Sequence, residues 1–195
     1  MLSEAILGYK SSWRILNLLL ETPRKPVSRK ELFQYTKLGN APLSKGLDRL
    51  TAAALIILEK RGKKEFYYLN ERNEFIYFIK GMWEKERKNL RNVPYEITLV
   101  LSEFVRSVQE SNLDLTKIIL FGSQAKGTAS QHSDIDLALV FSDDLKEEII
   151  VTKTVQKLEK QFKVKIQVHF LTLSSFNQKN NLIDYIKNEG ISLLP

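Results

Sequence analysis

The chain has 195 residues, 43% hydrophobic and 27% charged, with 30 Lys and Arg against 23 Asp and Glu. This composition excludes disorder throughout, and the length allows one medium domain or two small ones. The lack of cysteine excludes disulfides, thiolate zinc sites and a cysteine nucleophile, leaving carboxylates and two histidines as metal ligands.

No stretch approaches the roughly 18 apolar residues of a membrane span, and the opening Met1-Leu2-Ser3-Glu4-Ala5 carries an acid early and no apolar run. The expectation is a cytoplasmic protein with no membrane contact. Charge divides unevenly before Val93-Pro94. Residues 1–92 hold 19 Lys and Arg against 10 Asp and Glu, a net +9, whereas residues 93–195 hold 11 against 13, a net −2. Clustered cations gain by displacing counterions from phosphates, so the first half suits a polyanion.

From Ser3 to about Leu20, Ile6, Tyr9, Trp13, Leu16 and Leu20 recur at three- and four-residue steps, which predicts a helix with one buried face. Pro23 and Pro26 end it. Ser28-Arg29-Lys30-Glu31 has capping-box spacing and starts a second helix to about Lys37, with Gly39 as its C-terminal cap. Asn40 is placed to cap a third helix, with Pro42 in the first turn and Leu43, Leu47, Leu50 and Ala54 inside. Ser44, Lys45, Asp48 and Arg49 are left outside. Leu55–Lys60 and Glu65–Leu69 are β-prone runs around Arg61-Gly62-Lys63-Lys64, a hairpin with a basic tip.

Three helices followed by such a hairpin resemble the winged helix-turn-helix of prokaryotic transcription regulators. The resemblance implies double-stranded DNA as partner, with Ser44, Lys45 and Arg49 facing the major groove and Arg61, Lys63 and Lys64 reaching the backbone or minor groove. From Arg72 to about Asn92 a connecting helix is expected. Its cluster Phe75, Ile76, Phe78, Ile79, Met82 and Trp83 is most simply core, and winged helices also dimerise through a helix placed here, so an interface, with a homodimer as one form of it, is the sharper expectation. Val93-Pro94 marks a boundary.

Pro94 to about Ser111 reads as an amphipathic helix with Ile97, Val100, Leu101, Phe104, Val105 and Val108 on one side. Then Lys117–Phe121 reads as a buried strand ending in Gly122-Ser123, followed after ten residues by Asp134-Ile135-Asp136. Gly122 lets the backbone approach a triphosphate, and Ser123 offers a hydroxyl and an N–H to phosphate. Two aspartates two apart on a strand project from one face. As hard oxygen ligands they suit Mg²⁺, which also holds substrate phosphates. Lys126 adds a phosphate contact, and Ser133 stands beside Asp134 in the same loop. His132 in that loop reads as solvated or near phosphate.

This arrangement is similar to the nucleotidyltransferase superfamily of DNA polymerase β type, especially its small minimal members, over about Pro94 to Leu173. The resemblance implies an α/β domain with a mixed sheet, catalytic and metal-binding Asp134 and Asp136, and nucleotide contacts from Gly122, Ser123, Lys126 and Ser133. It also implies Mg²⁺ or Mn²⁺, a nucleoside triphosphate such as ATP, and transfer of a nucleoside monophosphate to a hydroxyl. Small members of that superfamily work beside a partner, often a helical HEPN protein.

Such enzymes place a third carboxylate on a later strand. Here Asp143-Asp144 to Gln161 reads as a helix and Lys163–Phe170 as that strand, with Val164, Ile166, Val168 and Phe170 buried. The other face carries Lys165, Gln167 and His169, none of them acidic. Gln167, then His169, are the candidates for the third position. Either the site binds nucleotide with little or no turnover, or His169 stands in as ligand or base. Leu173 to Leu194 reads as a closing amphipathic helix begun by Ser174 or Ser175.

The expected architecture is therefore α+β in two domains, a winged helix over residues 1–70, a connecting helix over 71–92 and a nucleotidyltransferase-like domain over 93–195. The expected function is a DNA-binding regulator carrying a nucleotidyltransferase domain that binds a nucleoside triphosphate and Mg²⁺, and that senses nucleotide or transfers a nucleoside monophosphate to a hydroxyl of a partner. The alternatives are a degenerate sensing or interaction module, and a true nucleotidyltransferase that uses the winged helix as a substrate adaptor.

Overall fold

The computed structural model of the protein describes residues 9–23, 25–130, 133–142 and 148–194. Ser3 and Ile6 of the first expected helix, His132, Asp143 and Asp144 lie outside them. The described chain divides into two compact units, residues 9–88 and 89–194, so the connecting helix groups with the N-terminal unit.

In the first unit α1 is Lys10–Glu21. Ile15, Leu16, Leu18, Leu19 and Leu20 are buried, while Tyr9 is largely exposed and Trp13 half-buried. The single stripe read from the sequence is too narrow because α1 is packed on more than one side, against both following helices and the sheet. Arg14 is fully buried and its Nη1 donates to the carbonyl of Thr36 at 3.3 Å.

Strand β1 (Val27–Ser28) leads into α2 (Arg29–Thr36) through the capping box that the sequence announces. The Glu31 N–H donates to Ser28 Oγ at 3.2 Å, and the Ser28 N–H donates to Glu31 Oε2 at 2.8 Å. These bonds from Ser28 hold the Glu31 carboxyl below its ordinary range. Ser28→Ala is expected to lower unfolding stability by about 1 kcal/mol, the usual cost of losing such a cap, as measured by urea unfolding.

The helix ends differently from expectation. Lys37, not Gly39, takes the left-handed position (φ 53°), and Gly39, extended at φ −69°, is the residue preceding α3 (Asn40–Ala52). Asn40 is therefore already helical and makes no side-chain cap. Leu43, Leu47 and Leu50 are buried as expected, but Ala54 lies past the helix, exposed, at φ 53°.

Strands β2 (Ile56–Arg61) and β3 (Lys64–Leu69) pair antiparallel with Arg61 opposite Lys64, leaving Gly62-Lys63 as a two-residue turn. Gly62 has φ +60° at its first central position, where glycine is the residue that fits the twist of a tight hairpin. The sheet order is β1-β3-β2. Helix α4 spans Glu74–Asn89, shorter than the stretch expected, and the Phe75 N–H donates to Asn73 Oδ1 at its start. Ile76 is buried and Ile79 and Trp83 are half-buried, but Phe75, Tyr77, Phe78 and Met82 are exposed, so most of this apolar cluster is not core.

The second unit opens with α5 (Tyr95–Glu110), whose Leu99, Val100, Leu101, Phe104, Val105 and Val108 are buried. A four-stranded mixed sheet follows, in the order β6-β5-β4-β7. Strands β4 (Leu115–Phe121) and β5 (Ile135–Phe141) are antiparallel, and β5 and β6 (Ile166–Thr172) are parallel. Between them lie α6 (Gly122–Lys126) and α7 (Glu148–Phe162). Residues 118 and 120 of β4 and 135, 137, 139 and 141 of β5 form one fully buried face.

The opposite face, Ile119, Phe121, Ala138 and Val140, is covered by Phe176, Ile183 and Ile186. These come from α8 (Leu173–Phe176) and α9 (Asn181–Glu189), with β7 (Ile191–Ser192) beside β4. The single closing helix expected from the sequence is thus broken. Thr172, not Ser174 or Ser175, caps α8, and Asn180 Oδ1 accepts from the Leu182 N–H to start α9. At Gly190 a Cβ would collide with the Ile186 carbonyl and Ile119, so only glycine lets the chain turn there onto the sheet.

Candidate functional site

The Gly-Ser and Asp-x-Asp segments meet at one end of the β4–β5 pair, where Phe121 lies opposite Asp136. Gly122 leaves β4 at φ +72°, a conformation that disfavours any side chain, and a Cβ there would collide with Asp136 Oδ2. The carboxylate of Asp136 thus occupies the space where a side chain on residue 122 would be. Asp134 stands one residue ahead of β5, close enough for its charge to act on Asp136. Burial, then Asp134, push the Asp136 carboxyl above its ordinary value, and His169 pulls it back.

Two carboxylates held together, one of them partly desolvated, repel each other, and a cation between them relieves that repulsion. Both are hard oxygen donors, so Asp134 and Asp136 fit a divalent ion such as Mg²⁺ or Mn²⁺. Among the described residues no group of three His, Cys, Asp or Glu side chains is placed to hold a metal. The position beside Asp136 on the parallel neighbour is Gln167, and His169 lies beside Ala138. The His169 ring stands edge-on to Phe121, with centroids 5.3 Å apart.

Three other predicted contacts are placed less openly. The Lys126 ammonium lies over the Tyr185 ring, 4.7 Å from its centroid. Ser133 Oγ accepts from the Ser130 N–H at 2.8 Å and so closes its own loop. Ser123 is half-buried, and its carbonyl accepts from the Thr128 N–H at 3.0 Å. Sequence reading missed Gln124. It is only 3% exposed, and its Oε1 has no hydrogen-bond partner among the described residues. An orphaned acceptor beside Gly122-Ser123 is legible only once burial is known.

Residues 103–195 match the polymerase beta nucleotidyltransferase family. That stretch contains Gly122, Ser123, both aspartates, Gln167 and His169, and makes the second unit nucleotidyltransferase-like. Among solved structures, a toxin–antitoxin crystal structure with AMP-PNP is 26% identical, with a TM-score of 0.38, over 48% of this chain and 72% of that one. A variant of the MntA–HpeT toxin–antitoxin is 23% identical, with a TM-score of 0.38, over 48% and 72%. A further MntA–HpeT variant is 28% identical, with a TM-score of 0.36, over 46% and 68%. No curated protein matches the chain.

In the first unit, the nucleotidyltransferase-like domain's neighbour in sequence, the expected DNA contacts fall into two groups. Lys45 on α3 and Lys63 and Lys64 at the hairpin tip are exposed. Arg49 is also exposed, its guanidinium over the Tyr9 ring at 4.7 Å. Ser44 and Arg61 are engaged within the unit. Ser44 Oγ accepts from Arg29 Nη2 at 2.7 Å, and Arg61 pairs with Glu59 at 2.7 Å and lies over Phe66. Arg29, absent from the sequence-based set, lines with Ser44, Asp48 and Tyr67 a cleft of about 470 Å³ between α3 and the sheet. No described helix is long and apolar enough to cross a membrane.

Proposed function

We propose that the second unit binds a nucleoside triphosphate together with Mg²⁺ or Mn²⁺, and that the first unit is a winged helix that binds double-stranded DNA. The protein is then a DNA-associated regulator that responds to nucleotide. The observation that carries this reading is the Asp136 carboxylate lying in the cradle left by Gly122, with Asp134 beside it.

Asp134 and Asp136 hold the cation, which when bound neutralises the triphosphate. Gly122 brings the backbone close to the phosphates and Ser123 donates its hydroxyl to them. Gln167 offers an amide where the superfamily uses a carboxylate, so it can donate a hydrogen bond but cannot take a proton. Binding and sensing therefore fit the residues better than rapid transfer. The exposed Lys45, Arg49, Lys63 and Lys64, on one helix and one hairpin tip, support the DNA reading.

A second reading is favoured by the place of His169, whose ring stands edge-on to Phe121, the residue opposite Asp136. If His169 accepts the proton of an acceptor hydroxyl, that oxygen attacks the α-phosphorus, a P–O bond forms, and pyrophosphate leaves. Incubation with α-labelled ATP and Mg²⁺ or Mn²⁺ separates the two. The first reading predicts filter-retained, non-covalent label that Asp134→Ala and Asp136→Ala remove. Covalent label lost in His169→Ala while nucleotide retention persists establishes the second. Label independent of both aspartates contradicts both.

A further inference from the structure

The candidate site shares one sheet face with the closing helices. Alternation along β5 puts Asp136 on the same side as Ala138 and Val140, the side covered by α8 and α9. At the end of that face nearest Asp136, side chains stack in a short row. The His169 ring stands edge-on to Phe121, Phe121 stands edge-on to Tyr185 of α9 with centroids 6.3 Å apart, and the Lys126 ammonium lies 4.7 Å from the centre of the Tyr185 ring. Tyr185 is half-buried and packs on the apolar cluster beneath α9, so its ring is held in place, whereas Lys126 is exposed.

Another partner lies within one turn of Lys126, and the lysine does not take it. Helix α6 runs from Gly122 to Lys126, so the lysine stands about 6 Å along the axis from Gly122. The Asp136 carboxylate occupies the place of a side chain on residue 122. An acid at one end of a turn and a lysine four residues on make the common helical ion pair. Asp134 adds a second negative charge beside it. Yet among the described residues Lys126 forms no ion pair with either aspartate. An ammonium over an aromatic face is held at least as well as one in an exposed ion pair, and only the ring leaves both carboxylates unpaired.

We propose that Tyr185 is a positioning residue that holds the Lys126 ammonium away from Asp134 and Asp136 and so reserves both carboxylates for a divalent cation. The proposal rests on the reading of those aspartates as metal ligands. Without the ring, the lysine falls back on the carboxylates, and an incoming cation must displace it. With the ring, the ammonium waits at the edge of the site, able to swing to the phosphates once the metal has taken the aspartates. The movement is confined to one flexible four-carbon stem. Tyr185 acts through the face of its ring and not through its hydroxyl, so phenylalanine in its place serves equally.

Mn²⁺ titration of the full chain without nucleotide, followed by the electron paramagnetic resonance signal of the free ion, tests this. The wild-type protein should bind Mn²⁺ at a site that Asp134→Ala/Asp136→Ala lacks. Tyr185→Leu should weaken that site by about threefold, the scale of one ion pair that the metal must break, while Tyr185→Phe should bind as the wild type does. Adding Lys126→Met to Tyr185→Leu should bring the affinity back to at least the wild-type level. A purely structural loss at Tyr185 persists in that double variant, so persistence overturns the proposal. So does an affinity unchanged in Tyr185→Leu, or one reduced equally in Tyr185→Phe. Wild-type protein that binds no Mn²⁺, or binds it independently of the two aspartates, overturns the metal-site reading itself and this proposal with it.

Discussion

Gly122→Ala is expected to remove divalent-dependent nucleotide binding and to destabilise the second unit by about 1–3 kcal/mol, the cost of holding a side chain in left-handed backbone. Two independent effects act in the same direction. The residue has φ +72°, and its new methyl would occupy the position of Asp136 Oδ2. Relief requires either the backbone or the carboxylate to move, and both carry the site. Urea unfolding with a nucleotide titration on the same sample measures the two losses together. Unchanged nucleotide affinity in a folded Gly122→Ala protein contradicts the geometry.

Asp136→Asn is expected to divide these effects. It removes a proposed metal ligand and so should abolish binding, yet it also removes a carboxylate that burial and Asp134 hold above its ordinary pKa. The sign follows from proton linkage. Between the unfolded value, about 3.9 for aspartate, and the raised folded value, the native state holds more protons than the unfolded one. Stability contributed by this group is fully present below the unfolded pKa and is lost as pH rises through the folded one. Asp136→Asn should flatten that fall, and Mg²⁺ or Mn²⁺ should offset it in the wild-type protein. A steeper fall in Asp136→Asn contradicts the assignment.

The second large effect concerns DNA. Replacing Lys45, Arg49, Lys63 and Lys64 together with alanine should make the slope of log affinity against log salt shallower by about 3–4, since each phosphate contact contributes roughly 0.9. Fluorescence anisotropy on a labelled duplex at several salt concentrations gives the slope directly. Arg61→Ala is expected to change it far less. Sequence alone groups Arg61 with the other tip residues, but its guanidinium is already committed to Glu59 and the Phe66 ring. An unchanged slope in the fourfold variant shows that this face does not touch phosphate.

The parts of this fold that were readable in advance are those set by neighbours in sequence. The Ser28–Glu31 box appears as expected because both bonds close within four residues. The hairpin follows from two β-prone runs around Gly62, whereas the close approach of Gly122 to Asp136 emerges only in the folded chain. What failed was decided over longer range. Lys37 carries the left-handed turn while Gly39 does not, because the end of α2 is tied to α1 through Arg14 and the Thr36 carbonyl. The C-terminal segment breaks into α8, α9 and β7, since Asn180 starts a new helix and Gly190 must pass close to Ile119 on a strand 71 residues earlier in the chain. The apolar run of α4 looked like core, and its exposure reflects which side the rest of the unit covers. Gln124 shows no periodic signal at all, and its orphaned acceptor exists only in the folded chain.

The assignment of Gly122, Ser123, Asp134 and Asp136 to a metal–nucleotide site is the central claim, and isothermal titration calorimetry of ATP tests it most directly. The wild-type protein is predicted to bind ATP at one site when Mg²⁺ or Mn²⁺ is present and to lose that binding in EDTA, and the Asp134→Ala/Asp136→Ala protein is predicted to show no binding under either condition. ATP binding of equal affinity in both proteins, with or without the divalent ion, contradicts it.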